Sequence, residues 1–488
     1  MTANDNRPVN LPVVFGVVLI GALAYSLLMS MVFPALSTLA VSLHTSTDTA
    51  SWILTAYLLA AAVATPIVGR IGDLYGKERM LIVSFALLTL GTAIDGLSNS
   101  IGLTIAGRVL QGLGAGVVPL SFGLIRDVFP PKRVGGAVGF TAALMSIGAG
   151  IGMVVAGPIV TYLGFHWLFW IPMIMTSTAM AALIFLIPRR AGSRDGTVNV
   201  LAAMLLSLWL LCLLVGVTEG PAWGWGSLRV VGLFVASAVL FVGWIAYESR
   251  SASPLIDMKM MRERTVFTTN TVALFFGVTM YACAVAIPEF LEVPLISGYG
   301  FGASVLRAGI FFAPQAFFMF VVSMGAGRIA RTIGSKNAVV IGSVFSALGY
   351  FALAFFHSAA WQIYLENAVL GIGMGFAFSA IAFLIVESVD PSQTAVASGM
   401  NVNIRTIGGA LGSAIVASIV TSDLSANGIP RESAFVASFL FLAVVSILSL
   451  AAAIMIPKRT QHDRDVDRQP HEIHAEAAVI TGATLADS

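Results

Sequence analysis

The sequence predicts an all-α protein that crosses a membrane many times, and three observations support this fold class: the composition, the apolar runs and the distribution of positive charge. The chain has 488 residues, of which 58% are hydrophobic and 10% are charged, and its mean hydropathy is +0.92. Soluble domains carry about 25% charged residues. A chain with so few charges cannot build a water-facing surface.

Fourteen apolar runs are long enough to span a bilayer. A hydrocarbon layer about 30 Å thick requires roughly 20 helical residues at 1.5 Å per residue. Runs of that length cover residues 12–36, 51–70, 80–98, 101–125, 135–163, 167–188, 198–217, 228–247, 266–290, 305–327, 337–356, 361–386, 395–421 and 433–456. The first run is too long for the core of a signal peptide, so it is interpreted as an uncleaved helix.

The positions of Lys and Arg predict the orientation, because positive residues are retained in short cytoplasmic loops. Most of the 26 Lys and Arg residues fall in alternate loops when fourteen helices are counted. The loops on the other side contain only Arg229, Arg307 and Arg431. We therefore expect a multi-pass protein of the inner or plasma membrane, with both termini in the cytoplasm.

An internal repeat divides the chain into two related halves. Gly69-Arg70-Ile71 recurs 258 residues later as Gly327-Arg328-Ile329, and Gly112-x-Gly114-x-Gly116 recurs 259 residues later as Gly371-x-Gly373-x-Gly375. Repeats of this kind build two halves around one site in many transporters. The predicted division is a cytoplasmic N-tail (1–11), an N-terminal six-helix bundle (12–188), a linker with two inserted helices (189–265), a C-terminal six-helix bundle (266–456) and a disordered cytoplasmic tail (457–488).

Several function classes are disfavoured by what the sequence contains. The net charge of +2 and the scattered basic residues argue against nucleic acid as a partner. Cys212 and Cys283 are the only cysteines and both lie in apolar runs, so we expect neither a disulfide framework nor a cysteine-based metal site. No other residue pattern indicates a metal site or a cofactor, and we expect none. The chain contains no HExxH motif, nucleophile elbow or phosphate-binding loop, which argues against an enzyme. A membrane receptor or enzyme is kept as a remote alternative.

A glycine-rich turn follows the second predicted helix. Its sequence is Gly69-Arg70-Ile71-Gly72-Asp73-Leu74-Tyr75-Gly76-Lys77-Glu78-Arg79. Here the chain resembles the major facilitator superfamily, and specifically its fourteen-helix drug:proton antiporter family. The turn is similar to motif A of that superfamily, with matching residues Gly69, Gly72, Asp73, Gly76, Lys77 and Arg79. The resemblance implies that Asp73 holds a cytoplasmic gate closed until the halves rock apart; without the repeat, the stretch would be a solvated turn.

The fourth predicted helix carries an arginine, in a stretch that is similar to motif B of the same superfamily. Arg108 is followed by Gln111 and the glycine series from Gly112. An arginine within a span costs at least roughly 2.5 kcal/mol on insertion scales. Arg108 could extend to the outer interface, or it could line the central cavity and tune a neighbouring acid for proton exchange.

The fifth predicted helix resembles motif C, the antiporter signature. The matching glycines are Gly139, Gly148, Gly152 and Gly157, whereas Met153 stands where a proline is expected and Ala156 replaces a glycine. Close packing of helices is the alternative explanation of such glycines.

The first predicted helix lacks the acidic residue that antiporters of this family commonly carry, and Tyr25 stands at the corresponding place. Proton coupling therefore needs another acid. Asp95, Glu289, Glu292 and Glu366 are available, but three of the four could face the outer water layer. The candidates for proton coupling are Arg108, Glu366 and Asp95.

Polar and aromatic residues in several helices are candidates for the wall of a substrate cavity. They are Tyr25, Tyr57, Gln111, Glu289, Glu292, Gln315, Asn401 and Arg405. Aromatic rings and a pair of glutamates at the mouth would suit flat lipophilic cations. Arg405 lies halfway along the thirteenth helix, too deep to extend easily to an interface.

These features predict a secondary active transporter that works by alternating access in the lipid bilayer. It would export lipophilic, cationic small molecules in exchange for protons, as a monomer. The alternative is a dedicated exporter of one metabolite, lipid or self-made antibiotic that is not coupled to protons, and the missing acid of the first helix favours it.

Overall fold

The structure is a computed structural model that describes residues 10–187, 198–251, 254–390, 393–425 and 428–457. Most of the predicted N-tail, the whole loop at 189–197 and almost all of the predicted C-terminal tail lie outside the described residues. The side chains of residues 326–331, which repeat part of motif A, also lie outside them.

The described chain is helical almost throughout. Its α-helices are α1 (Leu11–Ser30), α2 (Leu36–Ser42), α3 (Thr47–Tyr75), α4 (Lys77–Leu97), α5 (Ile101–Leu113), α6 (Val117–Val128), α7 (Pro131–Tyr162), α8 (Trp167–Leu186), α9 (Val200–Trp223), α10 (Leu228–Glu248), α11 (Met258–Arg262), α12 (Arg264–Glu292), α13 (Val305–Phe311), α14 (Ala313–Ile333), α15 (Ser335–Phe355), α16 (Ala360–Ser388), α17 (Thr394–Ser422) and α18 (Glu432–Met455). Within the described ranges, fourteen spans are long and apolar enough to cross a membrane, which confirms the predicted number.

Three predicted spans are interrupted in the structure. The run 12–36 ends as a helix at Ser30, and a turn that contains Pro34 leads to α2. The run 101–125 is divided between α5 and α6 by a turn at residues 114–116. The run 305–327 is divided at Phe312, just before Pro314. Proline lacks the backbone donor and glycine is a poor helix former, so these residues weaken the helix where apolar length alone predicts continuity.

The internal repeat extends to the backbone conformation. Gly76 separates α3 from α4 with φ 107° and ψ 126°, and Gly334 separates α14 from α15 with φ 85° and ψ 146°. Positive φ is accessible to glycine at little cost. The same sharp corner therefore occurs at equivalent places 258 residues apart, as the sequence repeat predicts.

Glycines allow α12 and α17 to pack with their backbones in contact. A Cβ on Gly277 would overlap the Arg405 carbonyl oxygen, and a Cβ on Gly408 or Gly412 would overlap the carbonyl oxygens of Leu274 and Val278. The hydrophobic effect does not drive helices together in lipid. Small residues instead let the backbones approach closely, so that van der Waals contacts stabilise the pair. The close contact fixes the position of the middle of α17, including Arg405.

The two inserted helices lie beside the seam between α3 and α17. Leu206 and Leu210 of α9 belong to one buried cluster with Leu59 of α3 and Met400 of α17. The partner helix α10 leaves large apolar side chains exposed, among them Val239 at 67%. The insertion therefore packs with its α9 side against both halves and presents α10 outward.

We predict that Gly412→Leu lowers the temperature at which half of the detergent-purified protein is lost from its size-exclusion peak. Overpacking of this kind costs about 1–3 kcal/mol. The matched control is Gly243→Leu in α10, where an added Cβ meets nothing within 4 Å. Equal thermal losses in the two variants would contradict the proposed α12–α17 packing.

Candidate functional site

A carboxylate near the end of α3 joins the two halves of the molecule. Asp73 is 8% exposed, and its Oδ2 accepts a hydrogen bond of 3.3 Å from the Val396 amide in the first turn of α17. The first amides of a helix lack intrahelical partners and carry a partial positive charge, so they favour a carboxylate. This contact defines one face of the molecule, which we call the motif A end.

Further charged contacts surround Asp73 at the motif A end. The Nζ of Lys77 lies 3.3 Å from Asp73 Oδ1 and 2.7 Å from Asp127 Oδ2. Arg126 of α6 donates to the Val386 carbonyl and, over 2.8 Å, to the Thr394 hydroxyl. Arg126 thus also links the halves, a role that no motif in the sequence indicates.

The motif A glycines have different surroundings. A Cβ on Gly69 would lie 3.0 Å from the Ala395 carbonyl oxygen of α17, whereas a Cβ on Gly72 would overlap Leu120 of the same half. Gly76 forms the corner already described. Arg79 is exposed, so its side chain lies outside these buried contacts.

The motif C helix α7 contacts both halves. Gly148 and Gly152 face α1, where the Ser30 hydroxyl donates to the Gly148 carbonyl over 3.2 Å. Gly157 faces the other half, and a Cβ there would lie 2.7 Å from the Leu306 Cα. Gly139 has open space around it, so it does not share this packing role.

Arg108, Gln111 and Asp95 form a buried network inside the N-terminal half. Gln111 Nε2 donates to Asp95 Oδ2 and Arg108 Nη1 donates to Gln111 Oε1, both over 2.7 Å. Arg108 also donates to the Ile53 carbonyl over 2.9 Å and lies 5.0 Å from the centroid of the Tyr57 ring. Arg108, Gln111 and Asp95 are all 0% exposed. Arg108 therefore points into the bundle and does not reach the outer interface.

Asp95 fits this place because α5 has a glycine opposite it. A Cβ on Gly107 would overlap the Asp95 carboxylate. Asp95 Oδ1 and Arg108 Nη2 have no hydrogen-bond partner among the described residues. The side chain of Gln111, which the sequence suggested for a cavity wall, is thus hydrogen-bonded to both Asp95 and Arg108.

A cavity lies between the halves, closer to the motif A end. Its wall consists of Val118, Phe122 and Met145 from the N-terminal half and Phe378, Ala382, Ile385, Ser398, Asn401, Val402 and Arg405 from the C-terminal half. The Arg405 guanidinium carbon lies 4.8 Å from the centroid of the Phe378 ring. The Asn401 amide donates to Asn270 Oδ1 over 2.9 Å. The predicted cavity residues Asn401 and Arg405 both belong to this wall.

A second cavity lies between α7 and α14 and is rich in methionine. Its wall includes Met153, Met280, Met319, Met374 and Gln315, whose amide lies 3.0 Å from the Met374 sulfur. The free volumes of the two cavities are about 10 and 30 Å³. Binding sites for small molecules have volumes of about 300–1,000 Å³. Both cavities are therefore too small for a small-molecule substrate, which could enter them only after the halves separate.

The remaining candidates lie elsewhere. Glu366 is 4% exposed in α16, and its Oε2 has no partner among the described residues. Glu289 is exposed and Glu292 is half-buried near the end of α12, and neither belongs to the wall of either cavity. Tyr25 is buried in α1 within electrostatic range of Arg405.

Two related bundles that meet at a breakable polar contact, with cavities between them, define a multi-pass membrane transporter. The chain belongs to the Major Facilitator Superfamily, whose sequence profile matches residues 18–413. This confirms the family resemblance of motif A.

Two named relatives agree with this family, and a solved structure has a similar fold. The chain is 25% identical over 381 residues to Multidrug resistance protein 3 of Bacillus subtilis (strain 168), covering 77% of this chain and 73% of that one. It is 27% identical over 384 residues to the Tetracenomycin C resistance and export protein of Streptomyces glaucescens, covering 78% and 70%. The crystal structure of the human organic anion transporter MFSD10 (TETRAN) superposes with a TM-score of 0.65 at 13% identity, over 92% of this chain and 100% of that one. The last similarity concerns the fold alone.

We predict that Asp73→Asn opens the motif A end. A hydrogen bond to a charged group is worth about 1.5–3 kcal/mol, so the open population should rise roughly tenfold or more. The measurement is the rate at which a membrane-impermeant maleimide, added at the motif A side, labels Ala382→Cys in the cavity wall, with Cys212 and Cys283 replaced by alanine. Arg79→Gln, in the same motif but exposed, is the control and should leave the rate unchanged. Unchanged labelling in Asp73→Asn would rule out this contact as the gate.

Proposed function

We propose that this chain exports lipophilic small molecules across the cell membrane in exchange for protons, by alternating access. The observation that carries the proposal is the Asp73 contact with the first turn of α17, which crosses between the halves at one membrane face. The Lys and Arg pattern assigns the motif A end to the cytoplasm. Both halves and both cavities belong to one chain, so we expect the monomer to be the working unit.

The names of the relatives support the direction of transport. Two of the proteins that this chain matches are named for multidrug resistance and for tetracenomycin C resistance and export. A third, from Streptomyces coelicolor (strain ATCC BAA-471 / A3(2) / M145), is named a probable actinorhodin transporter and is 27% identical over 383 residues. Resistance in two of these names, and export in one of them, support outward transport of small molecules by this chain.

For proton coupling we assign the central role to Asp95. It is fully buried, it accepts a hydrogen bond from Gln111, and the Arg108 guanidinium bonds to the same amide. A carboxylate in a dry site is costly, whereas a nearby cation offsets that cost. Protonation of Asp95 would remove the negative charge near Arg108. The hydrogen-bond network would therefore prefer a different arrangement in each protonation state of Asp95.

The chain connects this network directly to the cavity and the gate. After Arg108 and Gln111, the backbone turns at residues 114–116 and continues as α6. Val118 and Phe122 of α6 line the cavity, and Arg126 at its end bonds to the other half. We propose that a shift of α5 after proton exchange moves α6 and so couples Asp95 to the gate.

Glu366 is the alternative proton site. Its carboxylate is buried in the C-terminal half and one oxygen lacks a partner among the described residues. Asp95 is linked to Arg108 through the Gln111 amide, whereas no such link joins Glu366 to an arginine within the described residues. A change in the charge of Glu366 therefore has no evident route to the gate. A dedicated exporter without proton coupling remains the second candidate function, favoured by the absence of an acid in α1.

We predict that Asp95→Asn abolishes transport driven by a pH gradient but retains exchange of substrate across liposomes without a gradient. The reason is that the amide keeps the size of the side chain but cannot release a proton. Glu366→Gln is the matched control and should retain gradient-driven transport.

The comparison uses purified protein in liposomes and a panel of lipophilic dyes, with substrate flux and internal pH followed together. If Glu366→Gln loses the gradient-driven component and Asp95→Asn keeps it, Glu366 replaces Asp95 as the proton site. If dyes move in the wild-type protein but never disturb the pH gradient, the uncoupled exporter is correct.

A further inference from the structure

We infer that the cavity between the halves binds the acidic group of an aromatic anion, with the Arg405 guanidinium as its ionic partner. The inference rests on the proposed export function and gives its substrate a charge. It differs from the sequence-based expectation of cationic substrates.

Arg405 is held at the cavity wall by its helix. The glycines of α12 and α17 bring the two backbones together around Arg405, as a Cβ on Gly277 would overlap its carbonyl oxygen. The side chain lines the cavity and is only 8% exposed. A cation is therefore fixed at the place where the two halves meet.

The charge of Arg405 is not balanced within the described part of the chain. No described carboxylate lies within 4.0 Å of its guanidinium, in contrast to Lys77, which contacts both Asp73 and Asp127. Its neighbours are the face of Phe378 and, within electrostatic range, the hydroxyls of Tyr25 and Tyr281. A buried cation without an anion is costly in a membrane. A substrate anion would remove that cost.

A second polar group supports the same ligand. The Ser398 hydroxyl lines the cavity, is 3% exposed and has no hydrogen-bond partner among the described residues. Ser398 lies seven residues before Arg405, two helical turns away on the same face of α17. A free donor and a free cation on one face match a carboxylate or a phenolate, which accepts from both.

The rest of the wall favours an aromatic body. Phe122 and Phe378 line the cavity from opposite halves, and Val118, Met145, Ile385 and other apolar side chains complete the wall. Phe378 already packs on the guanidinium, so a planar ring can continue that stack once the halves separate. None of the described side chains that line either cavity is acidic. A cation would therefore meet Arg405 without a compensating charge.

The test uses two xanthene dyes that share a ring system and differ in charge: fluorescein, an anion, and rhodamine 123, a cation. Binding to detergent-purified protein is followed by fluorescence anisotropy, and transport is followed in liposomes. The variants are Arg405→Met, which keeps an unbranched apolar stem but removes the charged group, Arg405→Lys, and Ser398→Ala. The matched control is Arg229→Met in α10, whose guanidinium lies 5.8 Å from the centroid of the Trp223 ring outside the cavity.

We expect the wild-type protein to bind and export fluorescein in preference to rhodamine 123. Arg405→Met should weaken fluorescein binding at least about tenfold, because truncating one partner of a buried charge pair costs several kcal/mol. Arg405→Lys should retain part of the affinity, Ser398→Ala should weaken it severalfold, and Arg229→Met should not change it. Size exclusion establishes that each variant is folded.

Three results would overturn the inference. Binding and export of rhodamine 123 alone would retain the exporter and reverse the charge of its substrate. Fluorescein binding that is equal in the wild type and in folded Arg405→Met would exclude Arg405 as the partner. Binding of neither dye would exclude the aromatic anion, whereas the wider dye panel and the Asp95 comparison decide separately whether the chain exports at all.

Discussion

The hydrogen bond between the Val396 amide and the Asp73 carboxylate connects the two halves where they meet at the motif A end. In lipid, the hydrophobic effect does not hold apolar helix surfaces together, so a few polar contacts and close packing at glycines determine the arrangement of the helices. The Asp73 carboxylate accepts a hydrogen bond from a backbone amide in the first turn of α17. The ammonium group of Lys77 offsets its negative charge. A local contact of this kind fits the proposed gate because it can break, whereas a large buried interface would hold one conformation permanently.

Buried charges in this molecule are stabilised in three different ways, and each corresponds to a proposed role. Asp73 faces a helix N-terminus and a lysine, which suits a gate. Arg108 shares the Gln111 amide with Asp95, which suits an exchangeable proton. Arg405 packs on an aromatic face and has no described carboxylate within 4.0 Å, which suits a ligand that supplies the missing charge. The costs of these charges are large in a membrane, so their different surroundings are informative about function.

The sequence predicts the number of spanning helices well because bilayer thickness dictates the length of each apolar run. Runs do not show where a helix breaks, and the turn at residues 114–116 lies within one of them. Motif A identifies Asp73 as a candidate contact between the halves. No sequence pattern identifies Arg126 as a second one, because its partners Val386 and Thr394 are distant in sequence. Counting residues placed Asp95 near a helix end, where it could have faced water; its burial depends on Gly107 of the next helix. Which face of a helix packs against another helix depends on the tertiary structure. The sequence therefore identifies Gln111 and Arg405 as polar residues within spans, but it does not show that one joins a hydrogen-bond network and the other lines a cavity.

The most direct test of alternating access is a pair of distance measurements by electron paramagnetic resonance, one at each membrane face. One pair of spin labels replaces the exposed residues Tyr75 and Phe267 at the motif A end, and the other replaces Tyr162 and Ile296 at the opposite end. Alternating access predicts that, when substrate is added or Asp73 is replaced by asparagine, the first distance lengthens while the second stays short or shortens. Simultaneous lengthening at both ends, or no change at either end in a protein that transports, would contradict a gate that opens by rocking of the two halves.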